Sequence, residues 1–353
     1  MTPRLQQLAA RLPANTAALV QASHHLRYLT GYLSGESYLF VTADVAYFLT
    51  DFRYIELAQQ TVQGAECRMY KKLLPELKEL AEQHGITAIL TEDTHITAAD
   101  KARYAKELPI VDGSLDAWLG ELRMVKESAE IEKIAAAQAV AEEAFAHVLT
   151  TLHAGVTERE VALDLEFYMR RHGAERVAFN TIAVAGANGS KPHGIPSDKP
   201  LCNGELLTMD FGAVVDGYHS DMTRTVAIGN VSDEQRAVYE TVLKAQKASL
   251  AILRDGVSCV DADAAARQVI AEAGFGDCFG HGTGHGVGLK IHEAPTLSPK
   301  AGKSVLRAGH VVTVEPGIYV AGRFGVRIED MVLITKDGYH NFTNVPKELL
   351  VLS

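Results

Sequence analysis

The sequence has little cysteine and no long apolar run. Its four cysteines, Cys67, Cys202, Cys259 and Cys278, are scattered and form no CxxC pair, which predicts reduced and mostly buried thiols. No stretch approaches the roughly 18 consecutive apolar residues that a membrane span needs. The first residues, MTPRLQQLAARLPAN, lack the apolar core of a secretory signal. We therefore expect a cytoplasmic protein with no membrane partner.

Positive charge is also scarce. The chain has 34 Lys and Arg against 44 Asp and Glu, a net charge of −10, and no run of five basic residues. Because phosphate backbones are bound by clustered Lys and Arg, this charge pattern argues against nucleic acid as a partner.

The length and composition are those of an ordinary globular protein with more than one domain. The chain has 353 residues, of which 47% are hydrophobic and 22% charged. At roughly 150 residues per domain, two domains are expected. A chain of this length buries a sizeable core without disulfide bonds.

The first part of the chain alternates strand and helix signals, which predicts a small α/β domain. SYLFV and AYFLT flank residues 42–44 as a hairpin, and ITAIL (86–90) and LPIVD (108–112) are typical of buried strands. A long Ala-rich helix then runs from near Lys126 to a stop near Gly155. We therefore divide the chain into domains 1–122 and 123–353.

The second domain repeats one pattern of elements. Thr157 and Glu160 form a capping box that opens a helix, and Ser258 opens another in the same way. These helices close at Gly173 and Gly274, and a hairpin follows each, at about 206–226 and 310–334. The repeat implies two α/β halves related by a pseudo-two-fold axis, with a cleft between their sheets.

The first hairpin brings two aspartates together. Asp216 and Gly217 form a two-residue turn signal, which pairs Gly212 with Asp221. Asp210 then becomes a diagonal neighbour of Asp221 on the same face. Two carboxylates at such a short distance repel each other unless they share a cation or a proton. Two solvated aspartates on an exposed face remain the alternative.

The second hairpin carries two glutamates in apolar surroundings. Glu315 ends an apolar strand, and Glu329 lies inside another, residues 326–335. A glutamate inside an apolar strand needs a partner. By the internal repeat, the hairpin that carries these two glutamates is equivalent to the hairpin that carries the two aspartates. Four carboxylates are therefore expected to converge from the two halves.

A Gly-rich segment between the hairpins, FGHGTGHGVGLKIHEAP, contains His281, His285 and His292. No GxGxxG register fits it, and HGTGH lacks the Glu of a zincin and has two glycines that disfavour a helix. One histidine with four carboxylates is a ligand set that suits Mn²⁺, Co²⁺ or Zn²⁺. Two such ions about 3.5–4 Å apart can activate a water together, as in dinuclear hydrolases.

This ordered ligand set resembles that of the pita-bread metallopeptidases. The strings MDFGAVVDGYHSDMTRT, GHGTGHGVGLKIHEAP, TVEPGIY and VRIED are similar to the Xaa-Pro branch, aminopeptidase P and prolidase. HLRYLTGY (25–32) and LTDFRY (49–54) resemble a creatinase-type N-terminal domain. The resemblance implies a small creatinase-like N-terminal α/β domain at 1–122 and a pita-bread catalytic domain at 123–353.

The resemblance also implies a role for each ligand. Asp221 and Glu329 are expected to bridge two divalent metal ions, Asp210 to bind one ion, and His285 with Glu315 to bind the other. Glu315 is also expected to handle the proton of the attacking water. Mn²⁺ is the expected metal, with Co²⁺ and Zn²⁺ as alternatives.

Four further residues match family positions around the substrate. His193, in SKPHG, matches the histidine that reaches the reacting amide, and His292 matches the one that stabilises the tetrahedral intermediate. His281 is expected to line the proline-side pocket. Arg327 matches an arginine at the inner edge of the site, on the same strand face as Glu329.

One position departs from the prolidase pattern. Prolidases often carry an arginine just after the histidine matched to His292, and it captures the substrate carboxylate. The sequence here reads Glu293, Ala, Pro, Thr296, without arginine. Arg53, brought over the cleft by a partner subunit or by domain closure, is the expected substitute, although a plain surface ion pair explains Arg53 equally well. Arg323 is a weaker alternative.

The leading functional prediction is a dinuclear metallopeptidase that hydrolyses Xaa-Pro dipeptides. An aminopeptidase P that removes the residue before proline from longer peptides is the alternative, and a non-catalytic pita-bread binding protein is a further one. Methionine aminopeptidase and metal-free creatinase are disfavoured by the motifs and by the complete ligand set. The expected partners are proline-containing dipeptides or short peptides and, as is usual for the family, a second copy of the chain.

Overall fold

The computed structural model describes residues 1–32 and 35–352. The chain separates into two units, Met1–Arg123 and Met124–Ser353. Within the described residues, no helix has both the length and the apolar character needed to cross a membrane.

The first unit is built on a six-stranded sheet with the strand order β4-β3-β2-β1-β5-β6. β2 and β3 form the antiparallel hairpin predicted around residues 42–44, whereas β1, β5 and β6 run parallel. Apolar side chains from the sheet, such as Leu19, Phe40 and Ile89, pack with Leu77 and Leu80 of α4 into one core. The elements of this unit are α1 (Pro3–Ala9), β1 (Thr16–Val20), α2 (Ser23–Thr30), β2 (Ser37–Val41), β3 (Ala46–Thr50), α3 (Ile55–Thr61), β4 (Glu66–Met69), α4 (Leu73–Gln83), β5 (Ala88–Thr91), α5 (Ala98–Tyr104), β6 (Ile110–Val111) and α6 (Leu115–Met124).

One strand of this unit differs from its prediction. LPIVD was expected to be a buried strand, but β6 is two residues long and Val111 is 37% exposed. Within the part of the chain that the structure describes, β6 pairs with β5 only and forms the edge of the sheet, so one side of the strand has no neighbouring strand to bury it.

The second unit contains the predicted repeat of two helices followed by a hairpin. Its elements are α7 (Ser128–Val148), α8 (Glu158–Arg171), β7 (Arg176–Val177), β8 (Ile182–Ala185), a 3₁₀ helix (Gly186–Ser190), β9 (Glu205–Phe211), β10 (Ala213–Val215), β11 (Tyr218–His219), β12 (Met222–Ile228), α9 (Asp233–Ile252), α10 (Cys259–Glu272), a 3₁₀ helix (Gly276–Cys278), β13 (Gly284–Gly286), β14 (Glu293–Leu297), β15 (Val311–Val314), β16 (Gly317–Val320), β17 (Phe324–Arg327), β18 (Asp330–Ile334), β19 (Tyr339–Asn341) and β20 (Val351–Leu352). α7 ends earlier than expected, at Val148, and turns lead from there to Gly155.

Equivalent backbone hydrogen bonds mark the two halves of this unit. The Gly155 amide donates to the Leu201 carbonyl at 2.9 Å, and the Gly256 amide donates to the Leu306 carbonyl at the same distance. The predicted capping box of Thr157 is present, whereas Ser258 accepts from the Val260 and Asp261 amides without a returning side chain. The first half contributes β12, β9 and β8 to a sheet that the last strand, β20, joins beside β12, and the second half contributes the sheet β14-β13-β15-β18-β19.

Candidate metal centre

The hairpin that carries Asp210 and Asp221 has the predicted register. Asp216 and Gly217 have φ angles of +47° and +76°, the positive values that a type I′ turn requires at both central positions. Val215 pairs with Tyr218 near the turn and Phe211 pairs with Met222 beyond it, so Gly212 lies opposite Asp221. Asp210 is therefore the diagonal neighbour of Asp221, as expected.

Glu329 reaches the centre differently from its prediction. It does not lie inside one strand, because β17 ends at Arg327 and β18 begins at Asp330. The Glu329 amide donates to the Thr223 carbonyl of β12 at 3.1 Å, which draws this segment toward the first half of the unit. Glu315 directly follows β15, as predicted, and its amide donates to the Thr283 carbonyl at 2.7 Å.

His285 sits in a short strand between two glycines. A Cβ at Gly284 would lie 2.0 Å from the Thr313 carbonyl oxygen, and one at Gly286 would lie 2.4 Å from the Ala294 carbonyl oxygen. Only glycine therefore lets β13 pack between β14 and β15 here. The segment is a strand and not a helix, as its glycines predicted.

The His285 imidazole presents a lone pair to two carboxylates. Nδ1 donates to the Gly286 carbonyl at 3.1 Å, which leaves Nε2 as an acceptor. Nε2 lies 3.5 Å from Asp221 Oδ2 and 3.5 Å from Glu315 Oε1. Burial lowers the His285 pKa to about 4, so the ring is neutral at pH 7. A histidine oriented by its second nitrogen in this way is typical of a metal ligand.

The carboxylates of the centre are buried close to one another, with too little positive charge nearby to balance their negative charge. Burial, and then the neighbouring acids, raise the pKa of Asp221 and of Glu329 well above the ordinary range. Burial also raises the pKa of Glu315 to about 8. Among the described residues, Asp210 Oδ1 and Glu329 Oε1 are buried without a hydrogen-bond partner. Unsatisfied oxygens in a cluster of this charge fit divalent cations.

The structure brings together every predicted site residue of this unit. Ligand atoms of Asp221, His285 and Glu329 lie within 4.8 Å of one another. A cavity of about 870 Å³ is walled by the five expected ligands and by the four expected substrate residues, namely Asp210, Asp221, His193, His281, His285, His292, Glu315, Arg327 and Glu329.

Two residues of the centre, Tyr319 and Thr223, were missed by the sequence analysis. The Tyr319 hydroxyl accepts from Arg327 Nη1 at 2.8 Å and lies 2.9 Å from His281 Nε2. Thr223 Oγ1 donates to Glu329 Oε2 at 2.7 Å and accepts from Arg327 Nε at 3.1 Å. Both lie in the strings TVEPGIY and MDFGAVVDGYHSDMTRT, but a neutral hydroxyl in a β-strand gives no sequence signal of its own.

Arg327 links these groups to a metal-ligand candidate. Its Nη2 donates to Asp210 Oδ2 at 2.6 Å, and the side chain is almost fully buried. Arg327 thus compensates one carboxylate of the cluster and supports the Tyr319 hydroxyl.

The three positions weighed for contact with the substrate carboxylate differ in their surroundings. Thr296, which ends the stretch after His292 that lacks the expected arginine, lines the cavity with a neutral side chain. Arg323 forms an exposed ion pair with Glu234 at 2.7 Å and does not line this cavity. In the first unit, Arg53 is held by Asp51 at 2.6 Å and by Glu36 at 3.2 Å, the surface ion pair that was weighed against a substrate role.

The raised carboxyl pKa values predict how pH affects the metal-free protein. Glu315 has a folded pKa of about 8 against an ordinary 4.5, so between these values the folded state holds a proton that the unfolded state has lost. The contribution of Glu315 to the free energy of unfolding is therefore fully present below pH 4.5 and is lost as pH rises toward 8. We expect the Tm of chelator-treated protein to fall by several degrees across this window and to recover when Mn²⁺ is added. Differential scanning calorimetry at fixed ionic strength measures the Tm at each pH.

The variant Glu315→Gln is the control for this experiment. Its neutral side chain does not titrate, so the fall in Tm should be smaller than in the wild type. A metal-free Tm that stays constant or rises over the same pH window would contradict the assigned proton.

The fold and the site together define a metal-dependent hydrolase with a two-domain chain. Residues 132–336 match the model of metallopeptidase family M24, and residues 4–125 match the creatinase/prolidase N-terminal domain. The chain therefore belongs to metallopeptidase family M24, and the predicted fold class is confirmed. Members of this family are metallopeptidases, which agrees with the donor set described above.

Similar proteins cover nearly the whole chain. An Xaa-Pro dipeptidase of Pyrococcus furiosus is 35% identical over 99% of this chain and 100% of its own length. The structure of an Xaa-Pro dipeptidase from Bacillus anthracis matches with a TM-score of 0.95 and 36% identity, covering 99% of both chains. An X-Pro aminopeptidase from Thermotoga maritima matches with a TM-score of 0.91 and 35% identity, also covering 99% of both chains.

Proposed function

We propose that this chain is a dinuclear metallopeptidase that hydrolyses the Xaa-Pro bond of dipeptides. The observation that carries the proposal is the convergence of four carboxylates and a neutral histidine on one cavity, with two buried oxygens left without partners. Similarity to Xaa-Pro dipeptidases over nearly the full chain supports the substrate class. The comparisons give no support to a non-catalytic binding protein.

We assign the five ligands as the family resemblance implies. Asp221 and Glu329 would bridge two divalent ions, Asp210 would hold one, and His285 with Glu315 would hold the other. Two ions bound there would lower the pKa of a water, so that a nucleophile is available at neutral pH. Mn²⁺ is the proposed metal because the donors are mostly oxygen, and Co²⁺ and Zn²⁺ remain alternatives.

The remaining residues act on protons and on the peptide. Glu315, which the charge of bound metal ions would keep ionised, would accept the proton of the attacking water and pass it on to the leaving amine. His193 would contact the reacting amide, and His292 would donate to the developing oxyanion. His281 would line the proline side of the cavity and Arg327 its inner edge, and the Tyr319 hydroxyl contacts both side chains.

Release of a residue from longer peptides is the second candidate function. It is favoured by Thr296, which lines the cavity and cannot bind a dipeptide carboxylate as an arginine would. Similarity to the X-Pro aminopeptidase of Thermotoga maritima agrees with it. Arg53 remains the proposed cation for a dipeptide carboxylate.

A peptide panel tests both functions. Metal-free protein loaded with Mn²⁺ is given Ala-Pro, Leu-Pro, Ala-Pro-Ala and Leu-Pro-Leu, with Ala-Ala as the control, and product amino acids are measured by chromatography. We expect the dipeptides to give a kcat/KM at least about tenfold above that of the tripeptides. The reverse order would establish the aminopeptidase, and no cleavage of either class would defeat both assignments.

The other expectations from the sequence are part of this proposal. We assign residues 1–122 to the N-terminal domain and 123–353 to the catalytic domain, and we propose a homodimer in the cytoplasm. Sedimentation of the metal-loaded protein measures the oligomeric state.

A further inference from the structure

Glu158 is a fully buried carboxylate at the start of α8, with 0% exposure. Its Oε1 accepts from the Ala185 amide at 2.8 Å. Its Oε2 accepts from Asn188 Nδ2 at 2.8 Å, and from the Ser197 amide and hydroxyl at 3.0 and 2.7 Å. Four donors thus replace the water that burial removes from this carboxylate.

Capping of the N-terminus of α8 does not explain the hydrogen bonds of the Glu158 side chain. The capping box of α8 uses Thr157 and Glu160, and both of its reciprocal hydrogen bonds form without Glu158. The Glu158 side chain is directed instead at a segment outside the helix, and each of its hydrogen bonds ends on residues 185–197.

This segment carries His193. Asn188 and Ser197 lie on either side of His193 in the chain, and one carboxylate oxygen binds them both. Asn188 Nδ2 also donates to the Ile195 carbonyl at 3.2 Å, which closes the loop on itself. Arg327 Nη1 donates to the Pro192 carbonyl at 3.2 Å, so the same loop is tied to the metal centre next to His193.

The loop needs such an anchor because its tip is exposed. The Ile195 side chain is 82% exposed, and His193 itself is exposed where it lines the cavity. Apolar packing therefore does little to fix the imidazole, and hydrogen bonds at the base of the loop must do so. A histidine that contacts a reacting group loses effectiveness when it is displaced by even about 1 Å.

We infer that Glu158 is a positioning residue that fixes the loop 185–197 and thereby holds His193 at the reacting amide. The role of His193 rests on the proposed function. The fixing of the loop by Glu158 rests on the contacts alone, so the two parts can be tested separately.

The loop itself is tested by hydrogen–deuterium exchange with mass spectrometry on the metal-loaded protein. Glu158→Gln keeps the size of the side chain but places an amide group against four donors. We expect exchange in peptides covering 186–197 to accelerate by about tenfold or more, with peptides of α9 unchanged. Glu160→Gln is the matched control, because it makes the same chemical change two residues away while Gln still completes a capping box. Equal exchange in the loop for both variants would overturn the inference.

The effect on His193 is tested by a double-mutant cycle on Xaa-Pro hydrolysis. Glu158→Gln should lower kcat by about 10- to 100-fold with little change in KM, while metal content stays that of the wild type. In a His193→Ala background the same substitution should cost less than about twofold, because the group it positions is gone. An equal cost in both backgrounds would show a role independent of His193.

Ser197→Ala replaces Glu158→Gln in the same experiments if the Glu158→Gln variant does not fold. It removes one of the four donors and should lower kcat by about three- to tenfold, again only when His193 is present. If the wild type cleaves no Xaa-Pro peptide, the proposed function fails, whereas the exchange result still decides whether Glu158 fixes the loop.

Discussion

Asp221→Asn should lower kcat/KM by about 1,000-fold or more and reduce the metal content of the purified protein. Asp221 is buried among Glu329, Asp210 and Glu315, and its ligand oxygen lies within reach of His285 and Glu329. An amide of the same shape removes one negative charge from the cluster that would hold two cations. Groups that act directly on transition-state charge are worth about 100- to 1,000-fold each, and loss of an ion adds to this.

The measurement pairs steady-state kinetics with metal analysis by plasma mass spectrometry. Asp216→Asn is the matched control, since Asp216 lies in the turn of the same hairpin with an exposed side chain. Asn tolerates the positive φ of that position, so the control should retain wild-type activity. Unchanged activity in Asp221→Asn would refute the dinuclear mechanism.

Arg224→Met should destabilise the protein by about 3–5 kcal/mol, the range seen when one partner of a buried ion pair is removed. Arg224 is 1% exposed and lies on β12, next to Thr223. It donates to Asp330 Oδ1 at 2.9 Å and to the Glu329 carbonyl at 2.5 Å. It also donates to the Val345 and Pro346 carbonyls, at 2.9 and 3.0 Å. Methionine satisfies none of these acceptors.

The charge that Arg224 leaves behind adds to the cost. Burial alone would raise the Asp330 pKa, but Arg224 and Lys347 together lower it below its ordinary value. Without Arg224, Asp330 keeps Lys347 at 2.6 Å and Asn341 at 2.9 Å. We therefore expect the variant to fold and to have a Tm lower by about 10 °C.

Thermal unfolding of the metal-loaded variants measures this effect. Arg323→Met is the control, because its ion pair with Glu234 is about half exposed and such pairs contribute about 0–1 kcal/mol. Equal losses of stability in the two variants would show that the buried hydrogen bonds of Arg224 stabilise the protein no more than an exposed ion pair does.

The backbone position of several ligands could be read from local sequence. Asp216 and Gly217 specify a turn by their tolerance of positive φ, and the period of two along a strand then puts Asp210 and Asp221 on one face. The two glycines inside HGTGH, Gly282 and Gly284, predicted correctly that the segment is not a helix. The resemblance of the motifs to Xaa-Pro peptidases added the roles that spacing alone left open.

Other features could not be read in this way. The apolar run 326–335 predicted one strand, but a hydrogen bond from the Glu329 amide to Thr223, 106 positions earlier in the chain, divides it into two. The exposure of Val111 depends on β6 being the edge of its sheet. Both effects depend on segments that lie far from Glu329 and Val111 in the sequence or on the place of a strand in its sheet, so no local pattern indicates them.

The sequence by itself determined the turn, the helix caps and the kinds of side chain that could hold divalent cations, because each depends on residues only a few positions apart. Tertiary structure decided which partners those side chains meet. Glu158 receives donors up to 39 positions away, and Tyr319 meets His281, 38 positions away. Such hydrogen bonds exist only after packing has brought distant segments together, since their donors and acceptors are common residue types that follow no local period.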